Sequence, residues 1–219
     1  QFQTTAQNIP NGMRWIEADR NLNDGLNRNV AVIDTGIDFN HPDLAANINI
    51  ALSRDFSGDG TGGNDNNGHG TFVAGIIGAI DDTEGVVGVA PQAMLISVKV
   101  LNRKGTGSTG SIIAGLNHVA RNSRNIEVAN LSLVGTCGEE PIEPRRLRRG
   151  FRRFIKKFLI EWYRYVAKHD GWFSCVNNHN AERLAVIGAT NSKVVVVAAA
   201  GNDSLDVTKF EVAPALFPE

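Results

Sequence analysis

Four apolar runs, Val30–Ile33, Met94–Leu101, Val128–Val134 and Val194–Ala200, are too unbroken to be strands with one wet face. Such runs fit parallel strands buried on both sides. Between them lie stretches of helical spacing, Thr71–Ile80, Ser111–Arg121 and Glu182–Thr190. Strand and helix in alternation predict an α/β fold, a mostly parallel sheet with helices on both faces. In such sheets chemistry gathers at the carboxyl ends of the strands. Asp34 directly follows the first run and Asn202 closely follows the last, so both belong at that edge. Two loops are expected, Ser57–Gly68, rich in Gly and Asn, and Gly105–Gly110.

At 219 residues the chain is long enough for one well-buried domain, and residues 1–219 are read as one. No run of about 18 apolar residues is present, so no membrane-spanning helix is expected. A start at Gln1 without a signal-peptide pattern reads as a mature or excised segment.

Three short motifs carry the chemistry. Val30-Ala-Val-Ile-Asp-Thr-Gly36 ends a strand on an acid, and Asn67-Gly-His-Gly-Thr71 sets a histidine at a helix start. Val194-Val-Val-Val-Ala-Ala-Ala-Gly-Asn202 ends a strand on an amide. Hydrolysis by a serine hydroxyl needs a base, a group that orients the base, and donors for the tetrahedral oxyanion. His69, Asp34 and Asn202 are of the right types for those three roles. Each has a plainer reading beside it: a surface histidine, a turn aspartate, a Gly-Asn turn. His41, His118, His169 and His179 lack a comparable setting, and Asp38 reads as a turn residue.

Taken together, Asp-Thr-Gly, His-Gly-Thr followed by Val-Ala-Gly, and Ala-Ala-Gly-Asn resemble the subtilisin family of serine proteases, the subtilases. The resemblance covers roughly Ala6 to Thr136 and resumes at about Ala181 to Pro218. It implies a subtilisin-like fold and an Asp, His, Ser order of catalytic residues along the chain. The family's serine stands in a Gly-Thr-Ser setting, and no such tripeptide occurs in these 219 residues. The chain therefore reads as a partial catalytic domain, truncated before the nucleophile helix, and on its own nearly inert. Loss of the nucleophile costs about 10⁶-fold in subtilisin itself.

The resemblance also implies a substrate cleft. Gly105 and Gly107 fall in the family's cleft-wall loop, and Ser132, Leu133 and Val134 fall on a strand that binds substrate backbone. Two positions depart from the family pattern. Phe72 stands where subtilases usually carry a second histidine, and Val134 stands where they carry glycine. His41 lies in a His-Pro-Asp-Leu turn that the family shares, with a structural role.

A calcium ion is a further implication, held by Gln7, Asp43 and Asp82 with the carbonyls of Ile80, Glu84 and Val86. Hard oxygen ligands of this kind suit Ca²⁺. The plainer reading is an acidic surface turn.

A basic insert at about 136–181 has no counterpart in the resemblance. Between Arg145 and Lys168 lie ten Lys/Arg and one acid, Glu161, which makes that segment +9. Against a formal net charge of −1, everything else is then −10. Leu147, Phe151, Phe154, Ile155, Phe158, Leu159, Trp162 and Val166 recur at helical spacing, as in an amphipathic helix. Three readings stand open: packing on the body of the protein, binding to an anionic membrane surface or a groove-type protein partner, and a graft or fusion foreign to the domain. No nucleic-acid motif accompanies the charge, so no nucleic-acid partner is expected. Cys137 and Cys175 lie just outside the amphipathic stretch, on either side of it, and are expected to pair in an oxidising compartment, the alternative being two free thiols.

The sequence thus points to a secreted serine endopeptidase acting on protein or peptide substrates, its serine supplied from outside these 219 residues. The rival is an inactive subtilase fold that binds membrane or a protein partner through 145–168. A Gly-Thr-Ser segment in an adjoining or separate C-terminal chain separates the two.

Overall fold

A computed structural model describes residues 7–20, 23–136, 181–199 and 212–213. In chain order these form α1 (Asn11–Trp15), β1 (Asn29–Asp34), β2 (Arg54–Asp55), α2 (His69–Gly78), β3 (Met94–Lys99), α3 (Thr109–Arg121), β4 (Val128–Leu131) and β5 (Gly135–Thr136). They continue with α4 over 181–191, β6 (Val195–Ala198) and β7 (Val212–Ala213). Five strands make one sheet in the order β2-β3-β1-β4-β6, every pair parallel. β5 and β7 form a separate antiparallel pair.

The sheet is covered on both sides, as the apolar runs predict. Pleating sends Val30 and Val32 of β1, with Leu95 of β3, against Val73 and Ala74 of α2. The intervening Ala31, Ile33, Ile96 and Val98 face Ile112, Leu116 and Val119 of α3 and Ala185 and Val186 of α4. β1 and β3 are central and fully enclosed, with residues 31–34 and 95–99 at 0% exposure.

Local chemistry sets the helix ends. Gly68 precedes α2 at φ 107°, in the left-handed region, and offers no side-chain cap. The exposed N–H groups there are met by other side chains: Asp65 accepts from the backbones of Gly68 and Thr71, Asn67 from His69 and Thr35 from Gly70. α2 therefore begins at His69, two residues before the predicted Thr71, and stops at Gly78, where Ala79 turns extended. α3 begins at Thr109 rather than Ser111, because Ser108 and Ser111 cap each other reciprocally. The loop predicted over Gly105–Gly110 is shorter for the same reason.

Two strand expectations need correction. The run Val128–Val134 is a strand only to Leu131, and Ser132, Leu133 and Val134 follow it without regular structure. The run Val194–Ala200 forms β6, but Val195 and Val197 are 59% and 50% exposed rather than buried on both faces. Among the described residues β6 is the outermost strand and pairs only with β4. The basic segment 145–168, Cys137, Cys175 and Asn202 lie outside the described residues.

Candidate active site

Asp34 ends β1 with its side chain fully buried, and strand alternation turns it toward the α2 side with Val30 and Val32. His69, the first residue of α2, reaches back to it. Its Nδ1 lies 2.8 Å from Asp34 Oδ1 and 3.0 Å from Oδ2. The backbone N–H of Thr35 donates to Oδ1 at 2.6 Å. Burial pushes the Asp34 carboxyl above its ordinary range, while the hydrogen bonds from His69 and Thr35 pull the other way. An ionised carboxylate can only accept, so the shared proton sits on Nδ1 and leaves Nε2 as the basic nitrogen. The imidazole side chain is 49% exposed, so that nitrogen can meet a substrate.

The pair is fixed by a second layer of bonds. Gly70 donates its backbone N–H to Thr35 Oγ1 at 2.8 Å, and a Cβ on Gly70 would collide with the carbonyl oxygen of Gly36. Thr71 Oγ1 accepts from the Asp38 N–H at 2.9 Å and donates to Asp65 Oδ2 at 2.6 Å. Burial by itself would raise the Asp65 carboxyl. The hydrogen bonds from Thr71, Asn67 and Gly68 outweigh it and hold that carboxyl below its ordinary range.

Strand order sets what surrounds the pair. β3 and β4 flank β1 on opposite sides, so the loops leaving them border Asp34 left and right. Gly105 and Gly107 follow β3 and are exposed. The side chain of Asn67, two residues before the histidine, donates to the Arg103 carbonyl at 3.1 Å and joins that loop to α2's entry. On the other side Leu133 is buried, Val134 is 44% exposed, and Ser132 Oγ accepts from Asn130. This arrangement presents an oriented base at the mouth of a two-walled edge. Chemically, it can draw a proton from a hydroxyl while the buried carboxylate steadies the imidazolium that forms.

A sequence model of the subtilase family matches residues 25–216. The chain is a subtilase. Among curated relatives, this subtilase is 42% identical over 143 residues to a thermostable alkaline protease of Halalkalibacterium halodurans, a match covering 64% of the chain and 38% of that protein. It is 38% identical over 141 residues to subtilisin DY of Bacillus licheniformis, covering 63% and 49% respectively. An intracellular serine protease of Paenibacillus polymyxa is 42% identical over 133 residues, covering 58% of this subtilase and 40% of that enzyme. The crystal structure of a cold adapted subtilisin-like serine proteinase superposes with a TM-score of 0.61 at 29% identity, over 89% of this chain and 53% of that one. The subtilase chain thus spans half or less of the length of these curated relatives.

The residues expected to hold calcium are brought together away from the acid–base pair. Gln7 Nε2 donates to the carbonyls of Ile80 at 2.6 Å and Val86 at 3.0 Å, and Gln7 Oε1 accepts from the Asp82 N–H at 3.0 Å. Asp43, nearly buried, accepts from the Val86 N–H, and Asp82 accepts from the Glu84 N–H. The carbonyls of Ile80 and Val86 turn on the Gln7 amide, and the Asp43 and Asp82 carboxylates accept from backbone N–H groups of the same loop; oxygen donors of this kind suit a hard cation. Among the described residues no three His, Cys, Asp or Glu side chains cluster to hold a metal. His41 is a turn residue here, its Nδ1 facing the Asp43 N–H.

Four supporting residues escape a reading by motif: Thr35, Asp65, Thr71 and Lys99. Thr35 and Thr71 lie inside the quoted motifs without an assigned role. Asp65 is hidden in a loop full of Asn and Gly. Lys99 had one visible signal, a lone cation inside an apolar run.

Proposed function

We propose that the protein to which this chain belongs is a serine endopeptidase of the subtilisin type, cleaving peptide bonds in protein or peptide substrates. The observation that carries the reading is the 2.8 Å contact from His69 Nδ1 to the fully buried Asp34 carboxylate. In the proposed reaction Nε2 of His69 accepts the proton of an attacking serine hydroxyl and returns it to the leaving amine, while Asp34 holds the ring and remains charged. Asn202 supplies an oxyanion donor, a contribution of about 2.7–4 kcal/mol to the transition state in subtilisin itself. Gly105, Gly107, Ser132, Leu133 and Val134 border the bound peptide. The serine comes from sequence outside these 219 residues, in the same chain or another.

The test is hydrolysis of a denatured protein substrate by the protein with a complete catalytic domain. His69→Ala should lower kcat by about 10⁶-fold with the fold intact, judged by circular dichroism. Hydrolysis undiminished in the purified variant overturns the reading.

Calcium and secretion belong to the same proposal. Gln7, Asp43, Asp82 and the carbonyls of Ile80, Glu84 and Val86 are the residues that would hold Ca²⁺, as a structural ion. A bound ion stabilises only the native state, so millimolar Ca²⁺ against chelator should raise the melting temperature. An unchanged melting curve rejects the site. Secretion enters the proposal through the likeness to the family alone, and two reactive thiols at Cys137 and Cys175 in protein purified without reductant would count against it.

A further inference from the structure

Lys99 is the largest fully buried side chain among the described residues. It ends β3 directly opposite Asp34, its registered partner on β1. Alternation along β3 puts Leu95, Ser97 and Lys99 on the α2 side of the sheet. Alternation along β1 puts Val30, Val32 and Asp34 on that same side. An ammonium and a carboxylate are thus planted side by side on adjacent strands about 4.8 Å apart. They do not close on each other. Lys99 Nζ runs past Asp34 to the carbonyl of Thr35 at 2.5 Å, to Asn66 Oδ1 at 3.0 Å and to Asp59 Oδ2 at 3.4 Å.

A buried ammonium is tolerated when it is hydrogen-bonded and paired, and here two hydrogen bonds, to Thr35 and Asn66, are joined by one ion pair, to Asp59. The three partners are spread over the connections that frame the site. Thr35 is the first residue past β1, and it also bonds Asp34 and Gly70. Asn66 lies in the loop that delivers His69. Asp59 accepts from the Arg103 N–H at 2.8 Å and so reaches the loop after β3. A neutral apolar residue, which the rest of β3 would favour, could join none of them.

We propose that Lys99 is a positioning residue, whose ammonium ties the exit of β1 to the entry of α2 and thereby keeps His69 Nδ1 on the Asp34 carboxylate. The proposal rests on reading Asp34 and His69 as an acid–base pair. Because its bonds go to Thr35 and Asn66, the Asp34 oxygens stay free for the imidazole. Lys99 acts through these neighbours and touches no substrate.

The test uses the Nδ1 proton of His69, read by NMR on ¹⁵N-histidine-labelled protein, and needs no turnover. The parent protein should give a far-downfield Nδ1–H resonance that Asp34→Asn removes. Lys99→Met should lose that resonance by exchange with water, and Asn66→Ala, at an exposed position, should shift it upfield while the protein stays folded. A residue of merely structural importance would lower the melting temperature and leave the resonance in place. An unchanged resonance in folded Lys99→Met overturns the proposal. If that variant does not fold, an unchanged resonance in Asn66→Ala overturns it. Absence of any Asp34-dependent resonance in the parent refutes the acid–base pair itself, a different failure, and removes this inference with it.

Discussion

β1 and β6 carry nearly the same word, Val-Ala-Val-Ile in one and Val-Val-Val-Ala in the other, yet they live in different surroundings. β1 lies between β3 and β4 with α2 on one face and α3 on the other, and its apolar side chains are 0–8% exposed. Among the described residues β6 leans on β4 alone, and half or more of Val195 and Val197 is exposed. An unbroken apolar run therefore reports what a strand can be buried in. Its place in the strand order decides how much of that burial the described residues supply. The acid–base pair stands at the enclosed end of this contrast, where every backbone movement is resisted by close neighbours.

The sharpest way to break the comparison is one substitution made twice. Gly70→Ala should destabilise by more than about 4 kcal/mol, because its methyl group meets backbone that cannot yield. Gly188→Ala, in α4 with nothing near the new carbon, should stabilise by about 0.5–1 kcal/mol through helix propensity. Equal effects in urea denaturation would erase the distinction between the two ends. Next in size, Ile33→Ala in β1 should cost about 3–4 kcal/mol, whereas Val197→Ala in β6 should cost under about 1 kcal/mol. A large loss at Val197 would show that its outer face is covered in solution.

Asp65→Ala should cost about 2 kcal/mol, since it leaves the backbone N–H groups of Gly68 and Thr71 without their acceptor. The pH dependence follows from the direction of its titration. A carboxyl depressed on folding contributes stability that is whole above its unfolded value, near 3.9, and is lost as pH falls through the lower folded value. Asp34 has the opposite sign: its raised carboxyl favours the folded state in acid and gives that advantage up as pH rises through the folded value. Asp65→Ala should therefore flatten the acid limb of a stability curve, and Asp34→Asn should steepen it.

The smallest effect belongs to His118 of α3. Burial, with Arg54 and Arg121 nearby, depresses this imidazole, against a bond from Nε2 to the Leu52 carbonyl at 2.9 Å. Folding favours its neutral form, so stability should slip as pH falls below about 6.5. His118→Gln should remove that slope in thermal melts taken between pH 7 and 5.

Both the fold and the acid–base pair could be read from residue order alone, for one physical reason. Parallel strands enclosed on both sides are written as continuous apolar runs, and the residue ending such a run is delivered to the sheet's working edge. Asp34 obeys that rule, and His69 is marked by its glycine-flanked motif at a helix start. Burial of β6 was not legible, because exposure depends on neighbours outside the run. The motif sets His69 at the start of α2, whereas apolar spacing alone puts that start at Thr71, because Gly68 has no capping side chain and Asp65, which takes part of that role, is set by loop geometry. Lys99 is hard to read from sequence for a related reason: a cation looks like a flaw in an apolar strand until the register sets it beside Asp34.

That register has a consequence for assembly of the sheet. A slip of β3 by one residue against β1 would turn every side chain of β3 to the opposite face. Lys99 would then enter the layer formed by Ile33, Ile112 and Leu116, where no acceptor awaits it, at a cost of several kcal/mol. Val, Ile and Leu at the other positions would tolerate the exchange far better. The same ammonium that braces the site thus acts as a proofreading mark during folding, rejecting the misaligned sheet that an all-apolar β3 would allow.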